Sequence, residues 1–156
     1  DRIEASPLIR TMKTAEIMRG DRPIEIIETD GLKEISFGDY EGLCYLPDNY
    51  TIPKPGFRKF FDDPEHYDAP PHGESLLHLR ERTSSFVRSI MDDPANENMT
   101  FLMTAHGAAI RGILSGLQNL PLAEFWSGPV HKNCGVTKLH VEHGKFNIEF
   151  ENRLYY

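Results

Sequence analysis

Residues 100–117, TFLMTAHGAAIRGILSGL, constrain the fold more than any other part of the sequence. Residues 100–105 form an apolar run of strand length, and residues 108–117 carry the 3.6-residue periodicity of a helix. Only His106 and Gly107 separate the two. A strand that passes so directly into a helix is a unit of an α/β sandwich, because parallel strands need crossovers that cover the sheet. The same pattern opens the chain. DRIEA reads as the end of a strand, Ser6 as an N-cap, and Pro7 as the first helical residue. Leu8, Ile9, Met12, Ala15 and Met18 then form an apolar stripe that stops at Gly20.

Residues 24–27 read as a further short strand. Residues 28–73 are rich in Gly, Pro, Asp and aromatics, with one short helix near residues 57–61. Irregular chain of that length in a compact domain usually carries function. A long helix follows in GESLLHLRERTSSFVRSIM, capped by Ser75 and striped by Leu76, Leu79, Thr83, Phe86, Val87, Ile90 and Met91. A helical piece is expected at residues 122–126. The chain ends as a hairpin of residues 136–142 and 145–151 around a His143-Gly144 turn. The expected fold is a three-layer α/β sandwich, a mostly parallel sheet flanked by helices, with a C-terminal hairpin. With no repeat and no linker, residues 1–156 form one domain.

Composition narrows the partners. Seventeen Lys and Arg against 24 Asp and Glu leave a formal charge of −7, which disfavours nucleic acid and anionic membranes. No apolar run approaches the ~20 residues of a membrane span. Cys44 and Cys134 lie far apart, so a disulfide scaffold is not expected and a reducing cytoplasm is. The seven histidines match no metal-ligand spacing, and the phosphate-loop and dinucleotide glycine motifs are missing. A small anion remains a fitting ligand wherever a few cations converge.

Three places carry candidate chemistry. His106 stands at the carboxyl end of a strand and before a helix, where α/β sheets bind ligands and helix N–H groups face anions. Gly107 lets the chain turn tightly and a ligand approach the backbone. A histidine satisfied by a nearby carbonyl would look the same. Arg10, one turn into the first helix, has a planar fork suited to two phosphate oxygens, although its position alone favours a surface arginine on an amphipathic helix. LKEISFGDYEG, residues 32–42, offers Glu34, Asp39 and Glu41. A carboxyl shielded by Ile35 and Phe37 would have a raised pKa and could serve as a general acid. The aromatic group Phe57, Phe60 and Phe61 reads as core or lid packing.

Taken in order, SPLIRTMKTAEIM, LKEISFGDYEG, HGES, TAHGAAIRGIL and NCGVTKL resemble the motifs of the histidine phosphatase superfamily, the phosphoglycerate mutase-like enzymes. The resemblance implies phosphoryl transfer through a phosphohistidine, with no metal and no cofactor, on a small phosphorylated metabolite. It implies that Arg10, His106 and Gly107 bind phosphate and that His106 stabilises charge in the transition state. Glu34 would be the acid, with Glu41 as the second choice. The family's Arg-His-Gly, which carries the nucleophile, has no counterpart here, so an N-terminal strand and first helix are expected to precede Asp1. The short segment at residues 42–73 favours a phosphatase over a mutase. A phosphate- or partner-binding relative without turnover is the alternative from another class. Oligomeric state is not legible.

Overall fold

The computed structural model describes residues 1–129 and 131–156. Its strands and helices run β1 (Arg2–Ala5), α1 (Ile9–Arg19), β2 (Ile26–Glu28), α2 (Lys59–Asp62), α3 (Leu76–Met91), β3 (Phe101–Thr104), α4 (Gly107–Leu117), β4 (Val136–Glu142) and β5 (Lys145–Arg153). Short 3₁₀ turns fill the segment between β2 and α3. The expected α/β architecture is present. β1 lies between β2 and β3 in a parallel sheet, with Ile3 opposite both Ile26 and Leu102. β4 and β5 form a separate antiparallel hairpin whose turn residues, His143 and Gly144, both have positive φ.

Alternation along β1 divides the core. Ile3 and Ala5 pack with Ala15 of α1, joined by Met12, Ile24 and Leu102. The other main packing layer joins Leu32 and Val87 to Ile113 and Leu117, with Met103 and the hairpin residues Leu139 and Phe146 against them. Glu4, between Ile3 and Ala5, is a buried carboxylate bound to Arg2 Nε at 2.6 Å. The segment between β2 and α3 contributes an aromatic core. Phe57, Phe60 and Tyr67 meet Ile35, Ala108 and Phe125, so the expected packing role of the phenylalanines holds for Phe57 and Phe60. Phe61 is 44% exposed on the rim of this cluster.

Two local expectations are corrected. Ser6 does not cap α1: Leu8 occupies that position, and no side chain caps the helix. The stripe on α1 is also displaced. Ile9 and Met18 are exposed, while Thr11 and Ala15 face inward. The sheet covers only a narrow strip of this helix, so small residues lie against it. Ser75 does cap α3, accepting the His78 N–H at 3.1 Å.

α3 and α4 pack closely because two glycines of α4 meet small polar residues of α3. A Cβ at Gly112 would stand 2.6 Å from Thr83 Oγ1, and one at Gly116 would run into Ser84. This contact fixes the start of α4, and therefore His106, relative to α3.

Candidate active site

His106 is the N-cap of α4, in extended backbone, at the end of β3. Its ring is buried and both nitrogens are engaged. Nδ1 accepts from Arg10 Nε at 3.0 Å, and Nε2 lies 2.7 Å from Ser6 Oγ. Because Nδ1 accepts, the ring proton belongs on Nε2 and is donated to Ser6. Burial, followed by the Arg10 charge, pushes the His106 pKa down to about 4. The ring is therefore neutral at neutral pH in this state.

Arg10 approaches from the first turn of α1. It reaches His106 with Nε alone, leaving its two terminal nitrogens outside that bond. The parallel sheet explains the meeting: β1 and β3 are adjacent, so both chains leave the same end of the sheet side by side. Arg10 and His106 are 96 residues apart in sequence.

Glu34 completes the group from the loop after β2. Its Oε1 accepts the N–H of Ala109 at 2.9 Å and that of Ile35 at 3.0 Å, while Oε2 accepts from Ala108 at 3.2 Å. The carboxylate thus occupies the N-terminal turn of α4, where unpaired N–H groups and the helix dipole favour negative charge. The expectation that these N–H groups face a bound anion is revised, since the protein's own acid takes two of them. Burial nevertheless raises the Glu34 pKa, outweighing the three N–H bonds and the charge of Arg10, which lower it. Arg10 acts electrostatically on Glu34 and His106 alike.

Glu41, the second choice, accepts the Phe37 N–H at 2.7 Å and is exposed. That bond closes its own turn. Asp39 pairs with His72 at 2.9 Å, also on the surface. Gly107 has no left-handed backbone that would demand glycine, and a Cβ there would meet nothing within 4 Å. It therefore serves no tight turn, and the space around its position is open.

Ser6 is the functional neighbour that sequence reasoning misassigned. It is fully buried, and its hydroxyl fixes the His106 ring. A serine before proline at a helix start satisfies the capping pattern equally well, so no local signal separates the two roles. Among the described residues, no three His, Cys, Asp or Glu side chains gather to hold a metal ion, and no helix is long and apolar enough to cross a membrane.

A strand-end histidine, an arginine whose terminal nitrogens have no partner among the described residues, and a half-buried acid, gathered at one end of a parallel sheet, form an α/β site suited to a small anion. The comparisons with known proteins give it a family: the sequence model of the histidine phosphatase superfamily (branch 1) matches residues 1–153, and the chain belongs to that superfamily. It is 27% identical over 155 residues to a putative phosphoserine phosphatase 2 of Hydrogenobacter thermophilus, covering 99% of this chain and 73% of that protein. Phosphoserine phosphatase 1 of the same organism is also 27% identical, over 91% of this chain. This chain spans 65% of its length. The solved structure of Bacillus stearothermophilus YhfR superposes with a TM-score of 0.88 at 32% identity, over 99% of this chain and 74% of that one.

Proposed function

We propose that the protein is a phosphatase that hydrolyses small phosphomonoesters through a phosphohistidine intermediate. The observation that carries this reading is the joint placement of Arg10, His106 and Glu34. A cationic fork is bonded to an imidazole, and a carboxyl held above its ordinary pKa sits on the first turn of the helix that the imidazole caps. The phosphatases among its relatives support the same reading, and their names make phosphoserine the first substrate to try.

In this reaction a histidine nitrogen attacks phosphorus and the bond to the ester oxygen breaks. Arg10 holds the equatorial oxygens with its terminal nitrogens, and His106 joins it once the charge of the dianion outweighs the burial and the Arg10 charge that keep the ring neutral. Glu34 delivers its proton to the departing oxygen. It then takes a proton from water, whose oxygen attacks phosphorus as the bond to histidine breaks. Phosphate leaves, and Glu34 already carries the proton it took from the water.

The accepting histidine lies outside this sequence. His66, His72, His78 and His143 are exposed and paired with carboxylates, His131 lies beside Thr137, and His140 is on the hairpin. The edge of β3 away from β1, which carries no strand among the described residues, is where a preceding segment would add it. The test is to trap the full-length protein with ³²P-labelled phosphoserine. Acid-labile label on histidine is expected in the intact protein and not in the 156-residue chain. Turnover with no labelled protein under rapid quench would overturn the mechanism, and binding without turnover would favour the relative that only binds phosphate.

A further inference from the structure

The loop that holds Glu34 has little structure of its own, a single 3₁₀ turn at Asp30–Leu32. It is gripped instead by Arg82 of α3 and by Glu74, two residues before α3 begins. Arg82 Nη1 donates to the Asp30 carbonyl at 2.5 Å, and Nη2 donates to the Lys33 carbonyl at 3.1 Å. The second of these is the carbonyl of the peptide bond that leads into Glu34. The same guanidinium binds Glu74 in a fork: Nε to Oε1 at 2.9 Å and Nη2 to Oε2 at 2.8 Å. The Glu74 carboxylate is 11% exposed, and Oε1 is shared with His78 Nδ1 at 2.7 Å. The Glu74 backbone N–H then donates to the Ser36 carbonyl at 2.8 Å, on the far side of Glu34.

The Glu74–Arg82 pair therefore touches the loop at Asp30, Lys33 and Ser36, on both sides of the acid. Gly31 adds a contact: it lies so close to Phe86 of α3 that a Cβ would overlap the ring. Such a grip exceeds what an isolated ion pair needs. Partly exposed pairs contribute little to stability, whereas a planar fork satisfying several fixed acceptors sets geometry.

We propose that the Glu74–Arg82 pair positions Glu34, holding the carboxyl against the start of α4 at the depth where it can pass a proton to the leaving oxygen. The inference rests on Glu34 being the acid. A lysine at position 82 keeps the charge but cannot serve both carbonyls and both carboxylate oxygens, so the acid would shift. Displacements on the order of 1 Å cost up to about a hundredfold in rate.

The experiment compares Arg82→Lys with the parent full-length protein on an alkyl phosphate and on 4-nitrophenyl phosphate. A kcat loss of roughly tenfold or more is expected on the alkyl ester. The loss should shrink on the nitrophenyl ester, and KM and inhibition by phosphate should hold. In a Glu34→Gln background, Arg82→Lys should lower kcat no further. An equal loss on both esters, or an undiminished loss in that background, would overturn the proposal and leave the pair a purely structural brace. If Arg82→Lys does not fold, Glu74→Gln gives the same comparison, since it keeps the Ser36 bond and removes only the carboxylate. A leaving-group effect in Glu34→Gln without one in Arg82→Lys or Glu74→Gln sinks this inference alone. Its absence from Glu34→Gln sinks the reading of the acid and this inference together.

Discussion

Glu34 meets two opposed influences at the start of α4. It closes the first turn of α4, yet burial keeps its pKa raised despite three N–H donors. Glu34→Gln retains an oxygen for the Ala109 N–H but cannot pass a proton. It should slow turnover of alkyl phosphates by roughly two to four decades, and less for 4-nitrophenyl phosphate, whose leaving group is stable as an anion. Steady-state kinetics on the two esters would show it; equal losses would remove Glu34 as the acid. His106 allows a test by pH. Its folded pKa of about 4 lies below the ordinary 6.5, so protons bind preferentially to the unfolded chain. Stability from this group is present above pH 6.5 and lost as pH falls through about 4. Urea unfolding across that window should fall less steeply for His106→Gln than for the parent. Parallel curves would mean that the ring titrates normally.

At the scale of elements, the α3–α4 contact does the most to place the site. It sets the start of α4, which receives Glu34, against α3, which carries Arg82. Gly116→Val would force a branched side chain into Ser84 and should cost about 1–3 kcal/mol in urea unfolding. Gly107→Ala is the contrast on the same helix. With open space around its Cβ it should leave stability unchanged, and a methyl group next to His106 in the chain should weaken phosphate inhibition. Loss of stability at position 107 comparable to that at position 116 would refute the distinction.

Across the whole molecule, a buried cation joins the hairpin to the helices, beside the apolar packing of Leu139 and Phe146. Arg111 of α4 is 2% exposed and donates to Glu151 of β5 at 2.8 Å, to the Phe125 carbonyl at 3.3 Å, and to the Ser127 carbonyl. It thereby ties α4, the loop before the hairpin, and β5. Glu151→Gln would leave that charge paired only with carbonyls. Breaking a buried pair from one side costs about 3–5 kcal/mol, and the partial exposure of Glu151 puts this case at or below the lower end. Hydrogen exchange should quicken first in β4 and β5 while β1 and β3 stay protected. Uniform quickening would show that the hairpin is not a separate unit.

The sequence by itself determined the elements. Periodicity marked α3 and α4, Ser75 marked a helix start, His143-Gly144 marked a hairpin, and direct strand-to-helix passages marked a parallel sheet. Each of these signals acts over one turn of helix or one β-turn, where nearest neighbours dominate the energy. It also supplied Arg10, Glu34 and His106 as candidates, because an acid among apolar residues and a histidine at a strand end are local patterns. Only the tertiary structure decided what these groups touch. Ser6 bonds a ring 100 residues away, Glu34 takes an N–H 75 residues on, and Arg82 holds a carbonyl 52 residues earlier. The same was true on α1, where helical periodicity put Ile9 inward and the narrow sheet left it in water. Capping serines, surface arginines and buried acids look alike in sequence, since burial and hydrogen-bond partners come from segments that meet only when the sheet forms.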